Sequence, residues 1–94
     1  MNGVEVKDKI IDILADLFSE AGVDREVLEY VDLVDDLGMD SINFISIIIE
    51  LETAFNVQVP DEWLNIEKFR DFSAIYEAVE ELLLLSEKGD NEDE

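Results

Sequence analysis

Three times along this chain, apolar residues recur at every third or fourth position, and that spacing commits it to helices packed face to face. The middle repeat is the most constraining. Phe44, Ile47, Ile48, Leu51 and Phe55 follow i, i+3, i+4, i+7 and i+11, which is one face of a helix from Ser41 to about Phe55. At about 100° per residue, Ile42 and Ile49 then project to nearly the opposite side, with Ser46 and Thr53 between and beside them. A helix that is apolar on both sides is either enclosed or presents an exposed patch. A chain of 94 residues rarely surrounds one of its helices completely, so a patch for docking a partner is expected at Ile42, Ser46 and Ile49.

The flanking repeats are simpler. Val6, Ile10, Ile13, Leu14, Leu17 and Ala21 form the core stripe of a helix predicted over Val4 to Ala21, with Ile11 and Phe18 flanking. Asp8, Asp12, Asp16, Ser19 and Glu20 cover its other side, and Gly22 is the stop signal. Near the other end, Asp71 is a suitable N-cap for a helix carrying Phe72, Ile75, Tyr76, Val79, Leu82 and Leu83 at the same spacing. Between the first two helices, Asp24 to Tyr30 suggests a short turn, and Val31, Leu33, Val34 and Leu37 pin a long loop. After the middle helix, Val57 and Val59 alternate inward and Pro60 suits the start of a short helix over Asp61 to Asn65. Trp63, Leu64, Ile66 and Phe69 supply apolar anchors there, with Trp63 read as core. The predicted fold is all-α: a small bundle of three longer helices and one short one, a single domain over residues 1–86. Residues 87–94 are expected to form an acidic, disordered tail.

Charge excludes several functions. With 26 acidic residues against six basic ones, the formal net charge is −20, which opposes binding to nucleic acid or an anionic membrane. The expected partner is a protein with a basic patch, met in a salt-sensitive encounter. There is no Cys, so there are no disulfides or thiolate metal sites, and no His, so no Ser-His-Asp triad and few transition-metal sites. No pair of acids is visibly arranged for acid–base work, so an enzyme is not expected. The N-terminal residues lack a signal-peptide pattern, and the longest apolar runs, Ile47–Ile49 and Leu82–Leu85, are too short to cross a bilayer. A soluble, cytoplasmic monomer is expected. Asp32, Asp35, Asp36 and Asp40 invite a calcium reading. With Gly38 as the loop glycine, however, the first ligand position falls on Leu33, which excludes a regular EF-hand and leaves only loose divalent binding.

The stretch Leu37-Gly38-Met39-Asp40-Ser41 carries the chemistry. A tight Gly-containing turn delivers a serine to the first turn of an apolar helix, where backbone N–H groups lack partners and the macrodipole is positive. A phosphate esterified to the Ser41 hydroxyl would sit where a helix best tolerates an anion. Ser41 is therefore a candidate attachment site for a phosphate-linked group. The plainer alternative is that Asp40-Ser41 is only a helix cap.

Asp-Leu-Gly-Met-Asp-Ser-Ile at 36–42, followed by Ile45, Ile48, Glu50-Leu51-Glu52, Phe55 and Val59-Pro60, resembles the acyl carrier protein superfamily. The likeness runs from about Val6 to Leu83. It implies that Ser41 receives 4′-phosphopantetheine from coenzyme A through a phosphopantetheinyl transferase, with Asp40 helping to present it. The arm would import the thiol this chain lacks, and the transferase the base and metal. It further implies that Ile42 and Ile49 meet partner enzymes, acyl-activating or acyl-transferring, with basic docking patches. Asn43 and Ser46 stand where fatty-acid carriers are commonly acidic, which points to a specialised carrier for a polyketide, a peptide or a modified lipid. Alternatives are an aminoacyl or peptidyl carrier, although Gly38-Met39-Asp40-Ser41 departs from the motif common there, and an unmodified interaction module.

Overall fold

The computed structural model describes residues 2–92, with side chains described through Ser86. Three helices carry the architecture: α1 over Gly3–Leu17, α2 over Ser41–Phe55 and α3 over Phe72–Glu92, joined by connections that contain 3-10 turns. The predicted all-α class is what the chain adopts.

α1 opens on Asn2, whose side-chain oxygen accepts the Glu5 amide at 2.9 Å, and buries Val6, Ile10, Ile11, Ile13 and Leu14. Regular helix ends four residues before the predicted Ala21. The Phe18 amide still donates to the Leu14 carbonyl, but Phe18 has left helical geometry, and Ser19–Ala21 tighten into a 3-10 turn closed by Gly22 at φ 75°. The tighter winding rotates Ala21 off the core stripe into solvent, while Phe18 is buried.

α2 buries Phe44, Ile47, Ile48, Leu51 and Phe55, the face that its periodicity predicts. Asp71 caps α3 by accepting the Ala74 amide at 2.8 Å, and Ile75, Ala78, Val79 and Leu82 reach the core. The backbone of α3 continues as helix to Glu92, past the start of the tail expected from residue 87. Residues 93 and 94, and the side chains from 87 onward, lie outside the described residues.

The connections also contribute to the core. Leu28, Leu33 and Met39 of the first one are buried in the core, with a 3-10 turn at Arg25–Val27 held to α1 by Arg25 and Asp12 at 2.8 Å. In the second, the single short helix expected over Asp61 to Asn65 is replaced by two 3-10 turns, Asp61–Trp63 and Ile66–Phe69. Leu64 departs from helical geometry, and Asn65 starts the second turn by accepting the Lys68 amide at 3.0 Å. Phe69 packs against Phe44 of α2 with ring centroids 5.8 Å apart. Trp63 packs partly against the core, as read, and carries the Lys68 ammonium 4.2 Å from its ring centroid. Among the described residues no polar or charged side chain is buried, and no helix is long and apolar enough to cross a membrane.

Candidate functional site

The site is assembled where the first connection delivers the chain to α2. Gly38 takes a left-handed conformation at φ 71°, where a side chain would be strained, and its amide donates to the Val34 carbonyl at 3.1 Å. The Met39 amide donates to the Leu33 carbonyl at 2.8 Å while its side chain enters the core. The turn is thus anchored just before the residues it presents.

Asp40 is the N-cap of α2. Its carboxylate accepts the Asn43 amide at 2.9 Å, and the Asn43 side-chain oxygen accepts the Asp40 amide at 3.3 Å, a reciprocal capping box. Asn43, noted above only as a missing acid, therefore has a structural task. The Phe44 amide bonds the Asp40 carbonyl at 2.9 Å, so within the helix the amides of Ser41 and Ile42 are left without an acceptor.

Ser41 is exposed, and its hydroxyl makes no hydrogen bond to any described residue. Capping and attachment are therefore not competing readings. Asp40 and Asn43 do the capping, which leaves the Ser41 hydroxyl available. A phosphodiester suits this position: two amides of the first turn are unpartnered, and the neighbouring carboxylate is turned onto Asn43.

Behind the core face, α2 is open. Ile42, Ile45 and Ile49 are 76%, 47% and 55% exposed, which decides for a patch over complete enclosure. Ser46 is half-buried within the patch, and Thr53 extends it with its hydroxyl donating to the Ile49 carbonyl at 3.0 Å. Ile45 lies on the flank between the two faces. Periodicity alone did not assign it, although its phase, near that of Ile42 and Ile49, was the available signal. From Ser41 to Ile49 there is no charged residue, although the chain holds 26 acids. On the other side of the turn, Leu37 and Asn43 border an open groove against the end of α1, where Asp16 and Glu20 make the lining acidic.

The preceding loop is held by a residue that sequence reasoning missed. Arg70, just before α3, grips Asp32 through Nε at 2.6 Å and Nη2 at 3.2 Å. It also meets Asp35 at 3.3 Å and Glu67 at 2.6 Å. The guanidinium beside Asp32, helped by the Asp35 amide, holds that carboxyl below the usual carboxylate range, and Asp32 in turn raises the Arg70 pKa. Among the described residues no group of three or more His, Cys, Asp or Glu side chains is placed to hold a metal ion.

Known proteins resemble this chain over most of its length. A family model described as "Phosphopantetheine attachment site" matches residues 8–79. The chain is 36% identical over 78 residues to an acyl carrier protein of Syntrophobacter fumaroxidans, covering 82% of this chain and 90% of that protein. It is 41% identical over 63 residues to an acyl carrier protein of Chlorobium phaeovibrioides, covering 66% of this chain and 77% of that one. An acyl carrier protein of Chlorobium luteolum is 40% identical over the same length. No solved structure matches the chain. The covalent cofactor is 4′-phosphopantetheine, and the chain belongs to the phosphopantetheine-binding acyl carrier protein superfamily.

Proposed function

We propose that Ser41 is the attachment residue and that the protein carries acyl groups between partner enzymes without catalysing their chemistry. One observation carries the assignment: Ser41 is an exposed serine, unbonded to any described residue, at the first position of a helix already capped by its neighbours Asp40 and Asn43. In the loading reaction, the Ser41 oxygen attacks the pantetheine-side phosphorus of coenzyme A. The pyrophosphate P–O bond breaks, adenosine 3′,5′-bisphosphate leaves, and the serine proton passes to a base of the transferase. The chain supplies no His or Cys, so the base and metal belong to the transferase. The bound arm supplies a terminal thiol, on which cargo is held as a thioester.

Asp40 serves this reaction by fixing the helix start, so that the hydroxyl stands clear of the backbone. Ile42, Ser46 and Ile49, joined by Ile45, form the docking face of α2. Its lack of charge up to Ile49 favours a specialised carrier, docked through apolar contact at this strip, while the acidic remainder of the domain steers partners bearing basic patches. Residues 1–86 form the carrier domain, followed by the acidic tail.

Incubation with coenzyme A, Mg²⁺ and a phosphopantetheinyl transferase should add the mass of one phosphopantetheine to the wild type and nothing to Ser41→Ala. An adduct that persists on Ser41→Ala refutes the assignment, as does a wild type that several transferases leave unmodified.

A further inference from the structure

Arg70 is one of six basic residues in the chain and makes three of the five ion pairs found among the described residues. All three tie down acids, and two of those acids, Asp32 and Asp35, belong to the loop that delivers Ser41. The backbone joins at the same place: the Leu33 amide donates to the Arg70 carbonyl at 2.8 Å, and Asp32 and Asp71 form an isolated antiparallel bridge.

From that joint a continuous set of hydrogen bonds runs to the helix start. Asp32 Oδ1, held by the guanidinium, accepts the amides of Val34 at 2.9 Å and Asp35 at 2.8 Å. The Asp32 amide donates to the Asp36 carboxylate, and the Asp36 amide to the Asp32 carbonyl, both at 2.8 Å. Val34 and Leu33 then receive the amides of Gly38 and Met39, directly before Asp40 and Ser41.

Electrostatics adds a second reason. Asp32, Asp35 and Glu67 all touch this one cation, and Asp36 lies against the backbone of Asp32. Without the guanidinium, four carboxylates would repel one another across the seam between the loop and the segment before α3. The fork of Arg70 on Asp32 does what a lysine point charge cannot, because two parallel N–H bonds fix the carboxylate's orientation as well as its position.

We propose that Arg70 is a positioning residue for the modification of Ser41, acting through Asp32 to hold the 32–39 loop in the register that presents the serine hydroxyl to the transferase. The inference rests on Ser41 being the attachment residue. Arg70 does not touch Ser41; its effect is relayed by the loop, and a small misplacement of a nucleophile costs rate more than affinity.

The test is steady-state phosphopantetheine transfer from coenzyme A, followed by intact mass, on full-length wild type, Arg70→Gln, Arg70→Lys, Asp32→Asn and the double variant Arg70→Gln/Asp32→Asn. Assays are run where circular dichroism shows each to be folded. Arg70→Gln should lower kcat about ten- to a hundredfold with little change in KM. Asp32→Asn should match it, the double variant should be no worse than either single one, and Arg70→Lys should recover part of the rate. Wild-type kcat in folded Arg70→Gln overturns the proposal. So does a loss in Arg70→Gln that Asp32→Asn does not share, since Arg70 would then be touching the transferase itself. If Arg70→Gln does not fold, Asp32→Asn decides alone: it keeps the cation and its side-chain oxygen for the loop amides but loses the charged fork, and a wild-type kcat there overturns the proposal. Failure of the wild type to accept the arm, or an adduct on Ser41→Ala, would instead refute the assignment of Ser41.

Discussion

α1 and α2 are both 15 residues long and each buries five side chains, yet they turn opposite surfaces outward. The exposed side of α1 carries Glu5, Lys7, Asp8, Asp12 and Asp16, and two of these pair with the first connection, Lys7 with Glu29 and Asp12 with Arg25, each at 2.8 Å. The exposed side of α2 carries Ser41, Ile42, Ile45 and Ile49, with Glu50 and Thr53 toward its end. The equal number of buried side chains predicts that the two helices contribute comparably to the core. The side that packing does not use distinguishes them: α1 presents a largely charged face, whereas α2 leaves apolar surface exposed at Ile42, Ile45 and Ile49.

The largest test of the comparison is whether the inner faces are equivalent. Leu14→Ala and Leu51→Ala each remove a fully buried side chain and should each destabilise by about 2–5 kcal/mol in denaturant unfolding. A cost under about 1 kcal/mol at one of them would mean that the helices do not share the core equally.

The caps should differ. Asp40→Ala removes half of a reciprocal box at the start of a central helix and should cost about 1 kcal/mol. Asn2→Ala removes one exposed hydrogen bond at the start of α1, a cap without a reciprocal bond, and should cost less. The reverse order would place the weight of the first helix on its cap.

Smaller still is the cost of changing the outer face of α2. Ile49→Glu should stay within about 0.5 kcal/mol of wild-type stability, since Ile49 is exposed and Glu is a good helix former. It should nevertheless raise the KM of the transferase for the protein severalfold. Asp12→Asn on the outer face of α1 should leave that KM unchanged. A loss of stability at Ile49 comparable to that at Leu51 would erase the distinction between the two faces of α2.

The last effect concerns the loop between the helices and is read in pH. The folded pKa of Asp32 is lowered, first by Arg70 and then by the Asp35 amide. Its contribution is therefore fully present above the unfolded value, about pH 4, and is lost as the pH falls through the lower folded value. Below about pH 4 the melting temperature of the wild type should fall relative to that of Asp32→Asn, which has no such contribution to lose. An unchanged acid slope in Asp32→Asn would show that the contact with Arg70 adds nothing to stability.

Legibility differed sharply between helices and connections. The buried set of α2 matches its periodicity residue for residue, because an i, i+3, i+4 pattern describes one object rotating at a known angle. The exposed patch followed from the same phase. Ala21 was misplaced because a 3-10 turn, which the apolar pattern does not announce, changed the rotation over the last three residues. The short helix before α3 became two turns because Leu64 interrupts it, and nothing in its residue type requires that. Asn43 read as a lost acid because its partner, the Asp40 amide, is visible only once the helix start is built.

By itself the sequence determined the three helical stripes, the outward phase of Ile42 and Ile49, and a serine at the first position of α2, all of them local relations between residues a few positions apart. The tertiary structure alone decided what holds that serine's loop. Arg70 and Asp32 are 38 residues apart, and with 26 acids for six cations the sequence offers many pairings of equal merit. Only packing of the loop against the segment before α3, with Leu33 and Phe69 buried on either side of the seam, brings one guanidinium to three particular carboxylates. Local periodicity is written into residue types, but the choice among distant charges is made by whichever contacts the core has already closed.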